Sequence, residues 1–392
     1  MKRFGLILLL FAFALPAISA LNKKVSVQEL KEMLVNLQDA KKDDAAVATE
    51  LKQYELTEEL TPSVMLSMEN FLPGPLSTEQ IYVMEVRSSV LAPPASDLPA
   101  AAPPDAAAQQ ALLAKASDYV SKVYTQLPHL SATRMTARFQ DGIEAVHSYT
   151  GMAQGMSQDT DPLWATTSLN VRLINTRTTP FESEKGIEKP PATKDTTNWG
   201  PNNMVASVGQ PLSLVQVMQE ATANGNPKWL RWEAIGGKQT AVFSFSVDKK
   251  KTKFAVNYCC FPSSDTAGML SSGIGISQGQ SSGGSGNLQT TTEWKPFKAS
   301  TGYHGEIFID PDLGVVVRTI TQADFKPTDF VHSEAIRTDY APITIAEKTL
   351  IVPIRSFILA EVVPNGDSFA AKYAVRHTYL TQNYKDYALA AK

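Results

Sequence analysis

Residues 303–322 read YHGEIFIDPDLGVVVRTITQ, and their pattern indicates an antiparallel hairpin. Ile307 and Ile309 lie two residues apart, as side chains on one face of a strand do. The run 310–314, DPDLG, predicts a tight turn, because proline presets the backbone, aspartate bonds nearby backbone donors and glycine adopts positive φ. A return strand follows over 315–321. Turn formation is favoured over the alternative use of Asp310 and Asp312 as paired carboxylates for acid–base work or calcium.

The same alternation of apolar and polar residues recurs on both sides of this hairpin. Further strands are predicted at 169–173, 241–247, 254–260, 343–345, 350–360 and 369–380. Such alternation is typical of an antiparallel sheet with one covered face. It argues against a Rossmann or TIM-barrel design, since no strand–helix–strand order occurs. Residues 128–392 are therefore predicted to form one large curved antiparallel sheet, interrupted by a polar segment at 176–207 and a Gly/Ser-rich loop at 263–290.

Residues 21–127 have helical rather than strand periodicity. Ser26 with Glu29 and Ser77 with Gln80 fit the capping-box pattern of helix starts. A helix is also predicted over 44–54, and a Pro/Ala-rich connector covers 92–107 before the longest helix, which Asp105 would cap. The predicted fold class is α+β, with an N-terminal helical region followed by the sheet.

The first 20 residues have the layout of a secretory signal peptide. Lys2 and Arg3 precede an apolar run over 4–15, and small residues at 17–20 offer a cleavage site. The run is shorter than the about 20 residues that a membrane span needs, which argues against the alternative of an anchor. We expect export to the periplasm or the extracellular space, with the signal peptide removed and no transmembrane span in the mature chain.

Charge and cysteine content exclude several classes of protein. Lysine and arginine number 36 against 39 acidic residues, giving a formal net charge of −3. Nucleic-acid binding, which needs a clustered basic face, is not expected. The only cysteines, Cys259 and Cys260, are adjacent, so no disulfide framework is possible. Two buried thiols are favoured over a strained vicinal disulfide.

Few residues suggest catalysis. Ser277 lies in a G-x-S-x-G match at 275–279, but inside the Gly/Ser-rich loop, where a chance match is favoured over a hydrolase nucleophile. His304 and Glu306 would share one face of a strand and could serve acid–base chemistry, although a solvated pair is the commoner arrangement. The chain has no zinc-ligand spacing, P-loop or dinucleotide motif. We therefore expect no metal and no cofactor.

An apolar sheet face is the stronger candidate for binding. Phe243 and Phe245 alternate on one strand, and Phe254 and Val256 alternate on the next, so these four side chains would line a concave face. The pair Trp229 and Trp232 could stack on a glycan, but packing at the sheet edge is favoured.

Two C-terminal stretches carry a resemblance to known families. Residues 303–318 fit G-x-I-x-I-D-x-x-x-G-x-V-x-R, and residues 337–355 read RTDYAPITIAEKTLIVPIR. Together with LTEEL at 56–60, LPGP at 72–75 and LPHL at 127–130, they resemble a group of uncharacterised exported bacterial proteins. The hairpin is also similar to outer-membrane lipoprotein carrier and sorting proteins. That resemblance implies a half-barrel sheet around an apolar cavity that accepts acyl chains, without catalytic residues.

We therefore favour a non-enzymatic envelope protein that binds an apolar ligand, a lipoprotein or a protein partner on its sheet. A secreted hydrolase using Ser277 or the His304–Glu306 pair is the alternative. In a third possibility, the helical region docks a partner and the sheet is its scaffold. The ligand and the oligomeric state stay open at this point.

Overall fold

A computed structural model describes residues 23–140, 171–189, 212–262, 294–326, 329, 331–362 and 377–390. The predicted signal peptide, the Gly/Ser-rich loop with Ser277, and most of the polar segment 176–207 lie outside these ranges. The described chain mixes helices and strands. The helices are α1 (Val27–Asp39), α2 (Asp44–Leu51), α3 (Pro62–Met68), α4 (Pro75–Ser88), α5 (Ala106–Lys122) and α6 (Leu214–Asn224).

The strands fall into one large sheet and two small pairs. They are β1 (Lys23–Val25), β2 (Tyr54–Leu56), β3 (Leu130–Gln140), β4 (Arg172–Glu184), β5 (Ile187–Glu188), β6 (Lys228–Ile235), β7 (Lys238–Val247), β8 (Ala255–Pro262), β9 (Trp294–Ser300), β10 (Tyr303–Asp310), β11 (Val315–Ala323), β12 (Val331–Ile345), β13 (Lys348–Val362) and β14 (His377–Leu389). Ten of them form an open sheet in the order β5-β4-β3-β14-β13-β12-β11-β10-β7-β6. Every neighbouring pair in it is antiparallel, which confirms the predicted antiparallel sheet.

The hairpin predicted from residues 303–322 lies inside this sheet as β10 and β11. Tyr303 pairs with Ala323 at its open end. In the turn, Asp310 Oδ1 accepts hydrogen bonds from the backbone N–H groups of Asp312 (2.9 Å) and Leu313 (3.0 Å), and Gly314 adopts φ 68°. The Asp310 carboxylate therefore acts as a turn residue.

Three local predictions were wrong. Residues 172–184 form β4 rather than part of a polar interruption, because the threonines there favour strands and pair along β3. The helix predicted over 44–54 ends at Leu51, and the residues after it form β2, which pairs in parallel with β1. The start of α4 is Pro75 rather than Ser77. The backbone N–H of Ser77 donates a hydrogen bond of 2.8 Å to the carboxylate of Asp44 on α2, so a residue distant in sequence caps this helix.

Helices cover both faces of the large sheet. We call the side that carries α5 and α6 the front face; its core combines buried residues of α5, α6, β7 and β10. The opposite, back face carries α4, with Val83 and Val86 packed against Phe139 and Phe357. The connector 92–107 links the two helical layers and passes the β6 edge of the sheet. There the Trp232 indole donates a hydrogen bond of 2.8 Å to the carbonyl of Ala102.

Candidate ligand pocket

A pocket of about 300 Å³ opens on the front face between the start of α6 and the sheet. Residues of strands β3, β4, β12, β13 and β14 line it on the sheet side. Its residues fall into an aromatic, an aliphatic and a hydroxyl group. They include Tyr124, Phe181, Tyr340 and Tyr384; Leu127, Leu130, Leu212, Leu214, Ile187 and Val352; and Ser183, Ser213, Thr338 and Ser356.

The strand period of two brings these side chains to one face. Thr338 and Tyr340 are two residues apart on β12, and Thr338 lies opposite Ser356 on β13 with 3.2 Å between the hydroxyl oxygens. Phe181 on β4 meets the ring of Tyr384 on β14 edge to face, with centroids 4.9 Å apart. These contacts make the pocket wall from strands that are far apart in sequence.

Helix α6, which was not predicted from the sequence, forms the opposite wall. Ser213 caps it, accepting a hydrogen bond from the Gln216 backbone, and its buried face continues with Leu214, Val217 and Met218. This serine followed by apolar residues at helical spacing was the available signal. Next to α6 in the pocket is the short turn that holds Tyr124. The Tyr124 ring lies edge to face with that of Tyr340, with centroids 6.5 Å apart.

The pocket is electrically neutral near pH 7. Burial raises the pKa of Tyr384 to about 12 and holds the pKa values of Tyr124 and Tyr340 well above their usual range, so all three phenols keep their protons. The one carboxylate in the lining, Glu188, accepts a hydrogen bond from Arg134 at 2.7 Å. Among the residues described at the pocket, none is a histidine, cysteine or lysine, so the serine and threonine hydroxyls and Glu188 are the groups there that could act as nucleophile or base.

The four residues predicted to line an apolar face are brought together, but under helix α6. Phe243, Phe245, Phe254 and Val256 have at most 5 % of their surface exposed and belong to the front-face core. The rings of Phe245 and Phe254 both pack on Tyr303, with centroids 5.7 and 5.2 Å away. These four residues belong to the same core as the buried face of α6, and the pocket lies elsewhere on the front face.

The back face carries a network of buried ion pairs that sequence analysis did not single out. Arg337 donates hydrogen bonds to Glu59, to Asp339 and to the carbonyl of Ser89. Arg318 donates to Asp339 at 2.6 Å and lies 3.3 Å from Glu233.

Within this network, burial raises the pKa values of the carboxyl groups, whereas the neighbouring arginines lower them. Burial alone would raise the pKa of the Asp339 carboxyl, but Arg337 and Arg318 hold that pKa well below its usual range. For Glu233, burial dominates and raises the pKa despite Arg231 and Arg318. Since each guanidinium already has carboxylate partners, the network joins the segment around Glu59 to the sheet rather than forming an open site.

The predicted His304–Glu306 pair is divided between two partners. Nδ1 of His304 lies 2.6 Å from Asp324 at a half-exposed position. Glu306 accepts hydrogen bonds from Arg231 at 2.9 and 3.2 Å. The two residues share the back face of β10, but they do not pair with each other. Ser277, the other hydrolase candidate, lies outside the described residues.

The paired tryptophans pack at the sheet edge. Trp229 and Trp232 meet edge to face at 4.9 Å, and Trp229 also contacts Phe243 at 5.5 Å. Across the described ranges, no three His, Cys, Asp or Glu side chains are grouped as metal ligands. Within the same ranges, no helix combines the length and the apolar character needed to cross a membrane.

Comparison of the chain with protein-family models, with curated proteins and with solved structures gives no match.

Proposed function

We propose that the protein is a non-enzymatic binding protein whose front-face pocket holds an apolar ligand, such as a lipid or the acyl chain of a lipoprotein. The observation that carries this proposal is the pocket between α6 and the sheet. Its volume of about 300 Å³ is at the lower end of small-molecule sites, which span about 300–1,000 Å³ and are mostly apolar with a few polar groups. Its aromatic and aliphatic walls with scattered hydroxyls fit that description.

The charge state of the pocket supports an uncharged binding segment. A buried ionised group on the ligand would need a partner of opposite charge. Glu188 and Arg134 already neutralise each other, and the phenols stay protonated. An aliphatic or aromatic segment would instead gain about 25 cal/mol for each Å² of apolar surface that it removes from water.

The resemblance of the hairpin to outer-membrane lipoprotein carriers supports the same class of ligand. Those proteins accept acyl chains in the cavity of a half-barrel sheet. We include a half-barrel curvature of the ten-stranded sheet in the proposal.

We further propose that the protein works in the periplasm or outside the cell. The positively charged start, the apolar run and the small residues at 17–20 support this localisation. N-terminal sequencing of the exported product should give Leu21 as its first residue. An intact Met1 on that product would refute signal-peptide removal.

Binding of the neutral fluorescent probe 1-N-phenylnaphthylamine by the mature chain tests the pocket. We expect saturable binding at one site. The Ile187→Trp substitution should weaken it about tenfold, or about 1.4 kcal/mol, because a larger ring at this half-exposed position narrows the pocket. Leu313→Trp is the matched control, since Leu313 is similarly exposed but lies in the β10–β11 turn; it should leave the affinity unchanged.

Two results would contradict the proposal. One is that neither 1-N-phenylnaphthylamine nor a fluorescent fatty acid shows saturable binding. The other is equal binding by the wild type and the Ile187→Trp variant, since the probe would then bind elsewhere.

A further inference from the structure

Glu334 is a buried carboxyl group. It lies on β12 with 2 % of its surface exposed, and among the described residues neither of its carboxylate oxygens has a hydrogen-bond partner. The other buried acids described above have partners: Glu59 and Asp339 pair with arginines, and Asp310 accepts backbone hydrogen bonds. A buried polar group that is left unpaired in a native structure calls for an explanation.

The neighbours of Glu334 on the front face carry no charge. In the strand pairing, Ala360 of β13 lies opposite Glu334, and Thr378 of β14 lies beyond Ala360. The nearby apolar cluster consists of Val331, Ile336, Ile358 and Ala360, with Phe325 and Leu380 packed against it.

The nearest charged groups that face this region lie farther away or are engaged elsewhere. Arg138 on β3 shares this face; it pairs with Leu380 of β14 and so lies two strands from β13. Asp324, beside Phe325 in the chain, contacts His304. Within the described residues, no cation forms a hydrogen bond or an ion pair with Glu334, and burial raises the pKa of its carboxyl group.

The backbone connects Glu334 directly to the pocket. Residues 334, 336, 338 and 340 alternate onto the front face of β12, and the last two, Thr338 and Tyr340, line the pocket. Four strand residues span about 14 Å, and the pocket-lining Ser356 lies on the strand paired with β12. If a negative charge on Glu334 disturbs the packing of β12 and β13, this pairing would transmit the disturbance to the pocket wall.

We propose that Glu334 is a proton-dependent switch that regulates the pocket: with its proton it keeps β12 and β13 packed and the ligand held, and loss of the proton loosens both. The regulatory part rests on the proposed function; the effect on stability does not.

The sign of the pH effect follows from the two states of the chain. Burial raises the pKa of Glu334 to about 8 in the folded protein, whereas an unfolded glutamate titrates near about 4.3. The folded state therefore binds more protons between these values. Stability from this group is complete below about pH 4.3 and is lost as the pH rises to about 8.

Thermal unfolding of the full mature chain between pH 5 and pH 9 tests the switch on its own. The melting temperature of the wild type should fall relative to that of Glu334→Gln by about 5 °C or more over this range. Glu347→Gln removes an exposed carboxylate in the β12–β13 turn, and this control should follow the wild type. If Glu334→Gln folds poorly, Glu334→Leu should have the same flat pH profile.

The affinity for the probe, measured as a function of pH, is the second test of the switch. If the binding-competent form requires the proton, binding of neutral 1-N-phenylnaphthylamine should weaken about tenfold between pH 7 and pH 9 in the wild type. It should stay constant in Glu334→Gln.

The outcomes separate the two proposals. Equal pH profiles of melting for wild type and Glu334→Gln would overturn the switch. A shifted melting profile with pH-independent affinity would overturn its coupling to the pocket. Failure of the probe to bind at any pH would refute the proposed function and leave the melting result as the test of Glu334.

Discussion

At the scale of single residues, arginines and phenylalanines alternate across the back face. The ring of Phe308 lies between Arg231 and Arg318, with centroid distances of 5.8 and 5.3 Å. Phe357 lies between Arg337 and Arg355, at 5.3 and 4.3 Å. Such contacts stabilise by about 0.5–2 kcal/mol each, depending on desolvation. They allow charged side chains to occupy a covered sheet face.

The Glu85–Arg355 pair tests how strongly this face depends on charge pairing. Arg355 donates two hydrogen bonds to the Glu85 carboxylate, at 2.7 and 2.9 Å, and the Glu85 side chain is 2 % exposed. Glu85→Gln should lower the free energy of unfolding by about 3 kcal/mol, because a guanidinium loses its buried partner.

Urea unfolding monitored by circular dichroism measures this loss. Asp118→Asn breaks the exposed pair with Lys122 and serves as the control; it should change stability by less than about 0.5 kcal/mol. Equal effects of the two substitutions would mean that Glu85 contributes no more than a surface charge.

Two helix caps with a local cause were predicted correctly from the sequence. The Ser26–Glu29 capping box and the Asp105 cap both form, because each involves side chains within three residues of their backbone partners. The ion-pair network was missed because its members, such as Glu59 and Arg337, are 278 residues apart. Strand arginines in an apolar context were the only local signal of it.

At the scale of elements, hairpins with strong turn residues were predictable and the pocket walls were not. The DPDLG turn fixes β10 and β11 locally, and the pairing follows. Tyr340 and Tyr384 look in sequence like ordinary strand residues. Only the order of the strands in the sheet brings them near Phe181 and α6, and a strand pattern does not specify that order.

The β4–β5 turn offers a test of how the pocket wall is built. Gly186 adopts φ 72°, and a Cβ atom there would lie within 2.4 Å of two atoms of the Tyr124 ring. Gly186→Ala should displace Tyr124, destabilise the protein by more than about 2 kcal/mol and weaken probe binding. Left-handed backbone alone costs a non-glycine residue about 1–2 kcal/mol.

Gly236 is the matched control for this substitution. It adopts φ 57° in the β6–β7 turn, and a Cβ atom there would meet nothing within 4 Å. Gly236→Ala should therefore carry the backbone penalty alone and leave probe binding unchanged. Equal losses of stability and of affinity in the two variants, measured by thermal unfolding and fluorescence titration, would contradict the role of Tyr124 in the wall.

At the scale of the whole molecule, the chain wraps its own sheet. Helix α4 packs on the back face and α1–α3 pack against α4, and the connector passes the β6 edge before α5 reaches the front face. This wrapping covers one edge strand, where unpaired backbone groups otherwise invite association. The Pro/Ala-rich composition predicted an extended connector, but the path around the sheet depends on tertiary contacts.

The pocket follows from this architecture. Helices α5 and α6 cover the β7–β10–β11 side of the front face, and Phe243 and Phe245 are buried there. The strands beyond them carry the aromatic and hydroxyl side chains that remain next to the pocket. The sequence pattern predicted an apolar face, but it could not distinguish the helix-covered part from the part that lines a cavity.

Diffraction from crystals of the mature protein soaked with a bromine-labelled 1-N-phenylnaphthylamine tests the pocket as a ligand site most directly. We predict one anomalous bromine peak on the front face, between the rings of Tyr340 and Tyr384 and the start of α6. A peak confined to another surface, or none at a probe concentration that saturates the fluorescence titration, would contradict the assignment of the pocket as the ligand site.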